Sequence, residues 1–316
     1  MKNNLHVFLG ATVADAASRP LHWVYNQKQL KSYIKNKKDF SFLKKNKSPF
    51  YDIKTGSVSG YNDVGQVMLK TLNFNYNSIE KSFKINLKKN FGPGSKYWKN
   101  YKARSKYRGI KDWRGIIKGP WIHQNIVDTL KNIKIKKKIT GGSKVHESDG
   151  FCAALPYFLY FKKFKNIKNI ISIVCVSKIS IKYALAKLQI INFALNGSKD
   201  PVGDFLNKFK KKTYFREVIK NIKIVKSLKK ISHSKAVQKL GSSCRYPGTF
   251  NSSIHSIITS KSYKSAILKT IRAGGCNCSR SNFVGAYFAA LKGSASIPNN
   301  WVKKCFPSKF ILKISL

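Results

Sequence analysis

Acidic residues are the scarcest chemical class in this 316-residue chain: 12 Asp and Glu stand against 62 Lys and Arg, a formal charge of +50. So few carboxylates leave few candidates for hard-metal ligands or acid–base groups, and each can be weighed singly. Arg is scarce too, at eight positions, so nearly all the positive charge is Lys. Scarcity of the residue that grips phosphate bidentately speaks against a surface selected to read nucleic acid. Lys, Asn, Ile, Phe and Tyr share AT-rich codons, and a biased coding sequence accounts for the charge. The alternative is a polyanion partner held by non-specific electrostatics. No apolar stretch reaches the roughly 18–20 residues of a membrane span. The best, 170–181, is interrupted by Lys178 and followed by Lys182. Pro-rich and Gly/Ser-rich linkers are few and no internal repeat is present, so one domain over residues 1–316 is expected. Six cysteines in a chain with 42% hydrophobic residues do not make the dense framework of a small secreted protein. A reducing compartment is expected, the cytoplasm or the nucleus.

The N-terminus, MKNNLHVFLGATVADAASRP, imitates a signal peptide, with a Lys, an apolar run and Ala14-Asp15-Ala16. Periodicity favours another reading. Leu5, Phe8, Leu9, Val13 and Ala16 share one helical face, which predicts an amphipathic first helix and no secretion. Asn62 or Asp63 can cap a helix carrying Val64, Val67, Met68 and Leu72. Ser148 or Asp149 can cap another, in which Pro156 should kink the helix or move its start. Residues 180–195 and 262–271 read as helices. Residues 283–291 read as a buried helix whose small residues allow close approach of a neighbour. The β-branched stretch 170–181 is expected to be a buried helix. Helical periodicity dominates the chain.

Residues 85–145 differ, with turns at Gly92-Pro93-Gly94 and Gly119-Pro120. Between the turns Tyr97, Trp98, Tyr101, Tyr107 and Trp113 alternate with Lys96, Lys99, Lys102, Arg104, Lys106, Arg108 and Arg114. Aromatic faces can stack bases while cations hold phosphate. No RNA-binding fold signature surrounds them, so a loop-rich region packed on the bundle is expected. His146 and Glu147 could serve as acid–base groups, but with no partner placed by spacing they are read as exposed loop residues, and Gly241–Cys244 as a loop near the cleft.

Four segments share a small-residue turn followed by a helix start: GATVADAASRPLHW (10–23), SGYNDVGQVML (59–69), HESDGFCAALP (146–156) and AGGCNCSR (273–280). Helix N-termini carry unpaired N–H groups and a positive dipole end, so several converging make a pocket for an anion or metal. The candidate ligand cleft therefore includes Asp149, Gly150, Gly274 and Gly275.

These segments, with ADAASRPLHWVY, FGPGS, GPW, SCRYPGTF, IRAGGCNCSRSNFVGA and the closing IPNNW, resemble the ADP-ribosylglycohydrolase superfamily over residues 5–301. The similarity is greatest to its J-crystallin and selenoprotein J branch. The resemblance implies an all-α, compact multi-helix orthogonal bundle around a central cleft, and two Mg²⁺ ions that orient ADP-ribose and activate water. Its metal ligands are a Glu after the first helix, a Thr-Asp-Asp and an Asp-x-Asp-Thr. By position they fall on His22, on Asn62, Asp63 and Val64, and on Cys276, Asn277, Cys278 and Ser279. Only Asp63 keeps a carboxylate; Val64 has no donor atom, and thiols are poor partners for Mg²⁺. The expected protein is a family member without di-magnesium hydrolase activity that keeps a cleft for an ADP-ribose-like ligand. Two alternatives stay open. One is a retained hydrolase, with Asp63 as surviving metal ligand or base and Asp15 or Asp149 assisting. The other is thiol chemistry, with Cys276, Cys278, His22 and Asp63 converging on Zn²⁺, or Cys276 and Cys278 as a redox pair resolved by Cys244.

Overall fold

A computed structural model describes residues 4–73, 78–105 and 115–315. The first helix, α1 (Leu5–Ser18), is the axis of the molecule. Every residue from Val7 to Ser18 is buried, so it is not the amphipathic helix that its apolar face predicted. The opposite face carries Val7 among Gly10, Ala11, Ala14 and Ala17, residues mostly small enough to be covered as closely as the apolar one.

A 3₁₀ turn (Arg19–Leu21) leads to α2 (Gln27–Ile34) and a short strand β1 (Tyr51–Asp52). Then follow α3 (Gly60–Asn73), α4 (Ile79–Phe91), α5 (Lys96–Ser105), strand β2 (Ile117–Lys118) and α6 (Gln124–Lys134). The strands pair in parallel, Tyr51 opposite Ile117. The region 85–145 therefore holds more helix than its turns suggested. Tyr97 is buried against Phe91, with ring centroids 4.6 Å apart, and that packing offsets the weak helix signal of α5. Tyr107, Trp113, Lys106, Arg108 and Arg114 lie outside the described residues.

The second half is helical throughout: α7 (Asp149–Phe161), α8 (Ile167–Val174), α9 (Lys178–Leu195), α10 (Pro201–Phe209), α11 (Arg216–Ser227) and α12 (His233–Leu240). It continues as α13 (Gly248–Ile258), α14 (Tyr263–Arg272), α15 (Asn277–Lys292), α16 (Asn299–Lys304) and α17 (Ser308–Ser315). Pro156 does not interrupt α7. It forgoes the bond to the Cys152 carbonyl, and Gly65 of α3 lies against that oxygen, where a Cβ would stand 2.9 Å away. The helix expected over 170–181 is two. The chain turns extended at Cys175, pairs with Gly142, and restarts at Ser177, whose hydroxyl accepts from the Ser180 N–H. A single apolar cluster runs from Leu5 to Ile311. Among the described residues no helix is long and apolar enough to cross a membrane.

Helices α1 and α15 cross where Gly10 meets Gly285. A Cβ on Gly10 would stand 2.5 Å from the Ala289 Cβ and 2.7 Å from the Gly285 carbonyl oxygen. The Gly10 carbonyl accepts from the Tyr263 hydroxyl at 2.6 Å. This crossing brings the end of α1 and the start of α15 together, and the candidate site forms there.

Candidate functional site

Asp15, near the end of α1, is fully buried and holds the start of α3. Its two oxygens accept from the Ser59 N–H and hydroxyl, both at 2.6 Å, and from the Asn282 amide at 2.6 Å. Burial pushes its carboxyl up to about 7, against the pull of those hydrogen bonds. Ser59 precedes α3, so Asn62 and Asp63 sit inside its first turn rather than capping it.

Asn62 donates to Asn282 at 2.8 Å and accepts from Gln66 at 2.9 Å. Val64 is buried among apolar groups. Asp63 turns the other way and accepts a hydrogen bond from the Tyr97 hydroxyl. Burial raises its carboxyl to about 6, and the Tyr97 bond, Lys70 and His123 oppose the rise. Tyr97→Phe removes a bond made to the charged form, so the Asp63 carboxyl should move further above 6. Carbon-13 NMR titration of the aspartate carboxyl carbons measures this; an unmoved value would mean that the hydroxyl contributes nothing.

The turn before α15 is made by two consecutive glycines, Gly274 at φ +72° and Gly275 at φ +67°, a conformation that side chains rarely adopt. Their N–H groups donate to the Ile271 and Val24 carbonyls, and the Cys276 N–H donates to the Ser242 carbonyl at 2.8 Å. Protein carbonyls thus occupy donors that the sequence offered to a ligand. Buried Arg280 braces the turn by donating to the Ser242 and Gly274 carbonyls. Gly150 serves close packing, since its Cβ would stand 2.7 Å from an Ile171 methyl.

His22 and Cys276 meet, with Nε2 3.3 Å from Sγ, while His22 Nδ1 lies 2.8 Å from the Tyr51 hydroxyl. Burial holds His22 below its ordinary value, so the ring is neutral. Burial pushes the Cys276 thiol up, but the neighbouring Cys244 thiol and His22 outweigh it and hold the Cys276 thiol well below its usual range. A neutral ring accepting from Tyr51 and donating to sulfur fits both directions. Cys278 faces away: its Sγ lies 3.8 Å from the Asp15 carbonyl oxygen, and burial raises it. Ser279 is buried and bonds to the Cys276 carbonyl and the Thr249 hydroxyl. Cys276, Cys278, His22 and Asp63 therefore do not converge. Among the described residues, one other trio has ligand atoms all within 4.8 Å: His123, Glu147 and Asp149.

Glu147, expected in an exposed loop, is partly buried. It accepts from the Tyr61 hydroxyl at 2.9 Å and from the Cys244 thiol at 3.3 Å. Burial and the neighbouring Asp149 raise its carboxyl. Asp149 accepts from His123 Nδ1 at 2.8 Å and from the Asn125 amide at 3.0 Å. The Asp149 charge and its hydrogen bond outweigh burial and raise His123. Periodicity and capping rules carry no signal for these contacts, because His123, Glu147 and Tyr61 lie on three separate segments.

Above this trio opens a pocket of about 290 Å³ lined by Trp23, Tyr25, Trp121, Arg104, Glu147 and Cys244, with His123 at its edge. Trp23 and Trp121 lie edge to face with centroids 5.3 Å apart, and the Arg104 guanidinium stands 3.8 Å over Trp121. Trp23 is held at φ +64°, a strained conformation for a bulky residue, by pairing with the Gly275 carbonyl. Larger surface grooves exist, such as one of about 790 Å³ lined by Gln27, Lys31, Lys235 and Arg272, but it holds no carboxylate, thiol or imidazole.

The resemblance assigned the ligands of two magnesium ions to these positions. Mg²⁺ requires oxygen donors in near-octahedral array. His22 and Cys276 bond each other, Asn62 bonds Asn282, Val64 offers methyls, and Asp63 faces Tyr97.

The profile described as ADP-ribosylglycohydrolase matches residues 4–314. Crystallin J1A of Tripedalia cystophora is 30% identical over 302 residues, 94% of this chain and 89% of that protein. Crystallin J1B of the same animal is 27% identical over 311 residues, 96% and 92% of the two chains. A solved structure titled ADP-ribosylglycohydrolase-related protein complex superposes with a TM-score of 0.61 over 99% of this chain and 95% of that one, at 11% identity, which shows the common fold. With the match spanning nearly its whole length and the all-α bundle in place, the chain belongs to the ADP-ribosylglycohydrolase family.

Proposed function

We propose that this chain is one ADP-ribosylglycohydrolase-like domain that binds an ADP-ribose-like ligand without di-magnesium hydrolysis. One observation carries the reading: the side chains at the metal-ligand positions bond one another, through His22–Cys276 and Asn62–Asn282. A hydrolase would need those positions free and anionic for Mg²⁺. The pocket supports the binding half. Partly buried Trp121 and exposed Tyr25 offer aromatic surface to a planar base, and Arg104, stacked on Trp121, offers charge to a phosphate.

Isothermal calorimetry with ADP-ribose, with and without Mg²⁺, tests this beside hydrolysis of an ADP-ribosylated arginine substrate. The expected result is saturable binding indifferent to Mg²⁺, and no turnover. Trp121→Ala should weaken binding by about 1–3 kcal/mol, the range of one stacked base. Magnesium-dependent turnover that Asp63→Ala abolishes would overturn the proposal.

A second reading, a reactive thiol, is favoured by the Cys276–His22 contact at a helix start beside Cys244. It predicts that iodoacetamide labels Cys276 ahead of Cys278, and labelling of neither would exclude it.

A further inference from the structure

We propose that His123, Glu147 and Asp149 form a binding site for one first-row divalent transition ion such as Zn²⁺, apart from the positions where the resemblance places magnesium. The proposal does not rest on the ADP-ribose reading. Three residues on two segments bring one imidazole and two carboxylates to one point, with ligand atoms within 4.8 Å of one another. Donors around a tetrahedral zinc stand about 3.3 Å apart, so side-chain rotation of roughly 1.5 Å at the widest pair closes the site. The imidazole sets the preference, because mixed nitrogen and oxygen donors suit zinc and its neighbours better than Mg²⁺.

Charge is the second, independent observation. Two carboxylates face each other here in a chain of 62 Lys and Arg, yet among the described residues no lysine or arginine pairs with either. Asp149 pairs with His123, and Glu147 has no ion pair among the described residues. Like charges brought together out of water are relieved either by a shared proton or by a counter-charge. A divalent ion supplies it and frees the His123 proton. The surroundings hold the ligands in place: Asn125 donates to Asp149, Tyr61 donates to Glu147, and the Tyr61 ring lies 3.7 Å from that of His123. His123 and Glu147 line the aromatic pocket. The ion would therefore have three protein ligands and a position open to the pocket, the arrangement of catalytic rather than structural zinc.

Equilibrium dialysis of the full chain against Zn²⁺ under reducing conditions, followed by metal analysis, tests the site. One zinc per chain is expected, with affinity reduced about 100-fold or more in Glu147→Gln and in His123→Gln. Zinc should raise the melting temperature of the parent chain and leave that of Glu147→Gln unchanged, which separates lost binding from lost folding. Cys276→Ser should retain the metal. The proposal fails if the parent chain binds no stoichiometric zinc, or if binding survives Glu147→Gln and disappears in Cys276→Ser. Calorimetry with ADP-ribose alone scores the other reading separately.

Discussion

Lys187→Met is expected to stabilise the protein by roughly 3–5 kcal/mol at pH 6, and by little at pH 10. Lys187, on α9, is fully buried. Its Nζ donates to the Ser148 hydroxyl at 3.1 Å and stands 4.9 Å over the rings of Phe151 and Tyr246 and 5.4 Å over that of Phe283. Among the described residues no carboxylate pairs with it. Burial pushes it from 10.5 down to about 7, and the neighbouring Cys152 and Cys276 offset only part of that. Each pKa unit is worth about 1.4 kcal/mol, so the full shift corresponds to roughly 5 kcal/mol. The sign follows from proton counting. Between pH 7 and 10.5 the unfolded chain holds one proton more than the folded chain, so stability rises with pH across that window. Below about 7 the whole cost of burying the charge is present. Methionine keeps the volume and removes the charge, and Ser148 keeps its Tyr246 partner at 3.2 Å. Urea denaturation of both proteins at pH 6, 8 and 10 measures the effect. Equal stability at pH 6 would mean that the ammonium is solvated where it stands.

Gly285→Val should destabilise the fold by about 3 kcal/mol or more. A Cβ on Gly285 would meet the Gly10 carbonyl oxygen, and the Ala14 Cβ at 2.5 Å, and neither atom can rotate away. The helices must separate, and the Tyr263 bond to the Gly10 carbonyl goes with the crossing. Because α1 leads into His22 and α15 begins after Cys276, separation also lengthens the 3.3 Å contact between them. Chemical denaturation gives the stability, and alkylation of Cys276 reports the loosened site. A Gly285→Val protein as stable as the parent would show that this crossing has room which the packing denies.

The helical character of the chain was legible because it depends on neighbours in sequence. The run 262–271 is capped by Ser262 and closed by a capping box with Ser265, as local rules require. Residues 283–291 read as a buried helix from their small residues alone. Burial on all sides of α1 was not legible, because it depends on α15, more than 250 residues away. The break at Cys175 was hidden for the same reason: Gly142, which pairs with it, lies outside the helical window.

The candidate site divides in the same way. Motif position picked out His22, Asp63 and Cys276 as candidates, and by residue chemistry valine and thiols make a poor magnesium cradle. Which of these side chains touch is a tertiary matter. His22 reaches Cys276, Cys278 turns to Asp15, and Asp63 bonds Tyr97. Glu147 read as an exposed loop residue because nothing near it in sequence covers it; Tyr61 and Cys244 do so from other segments. The sequence by itself determined the helical class, the family and the shortage of carboxylates, since these reside in composition, periodicity and motif. Only the tertiary structure decided where the remaining carboxylates meet, because His123, Glu147 and Asp149 become neighbours through the packing of their segments and through no spacing along the chain.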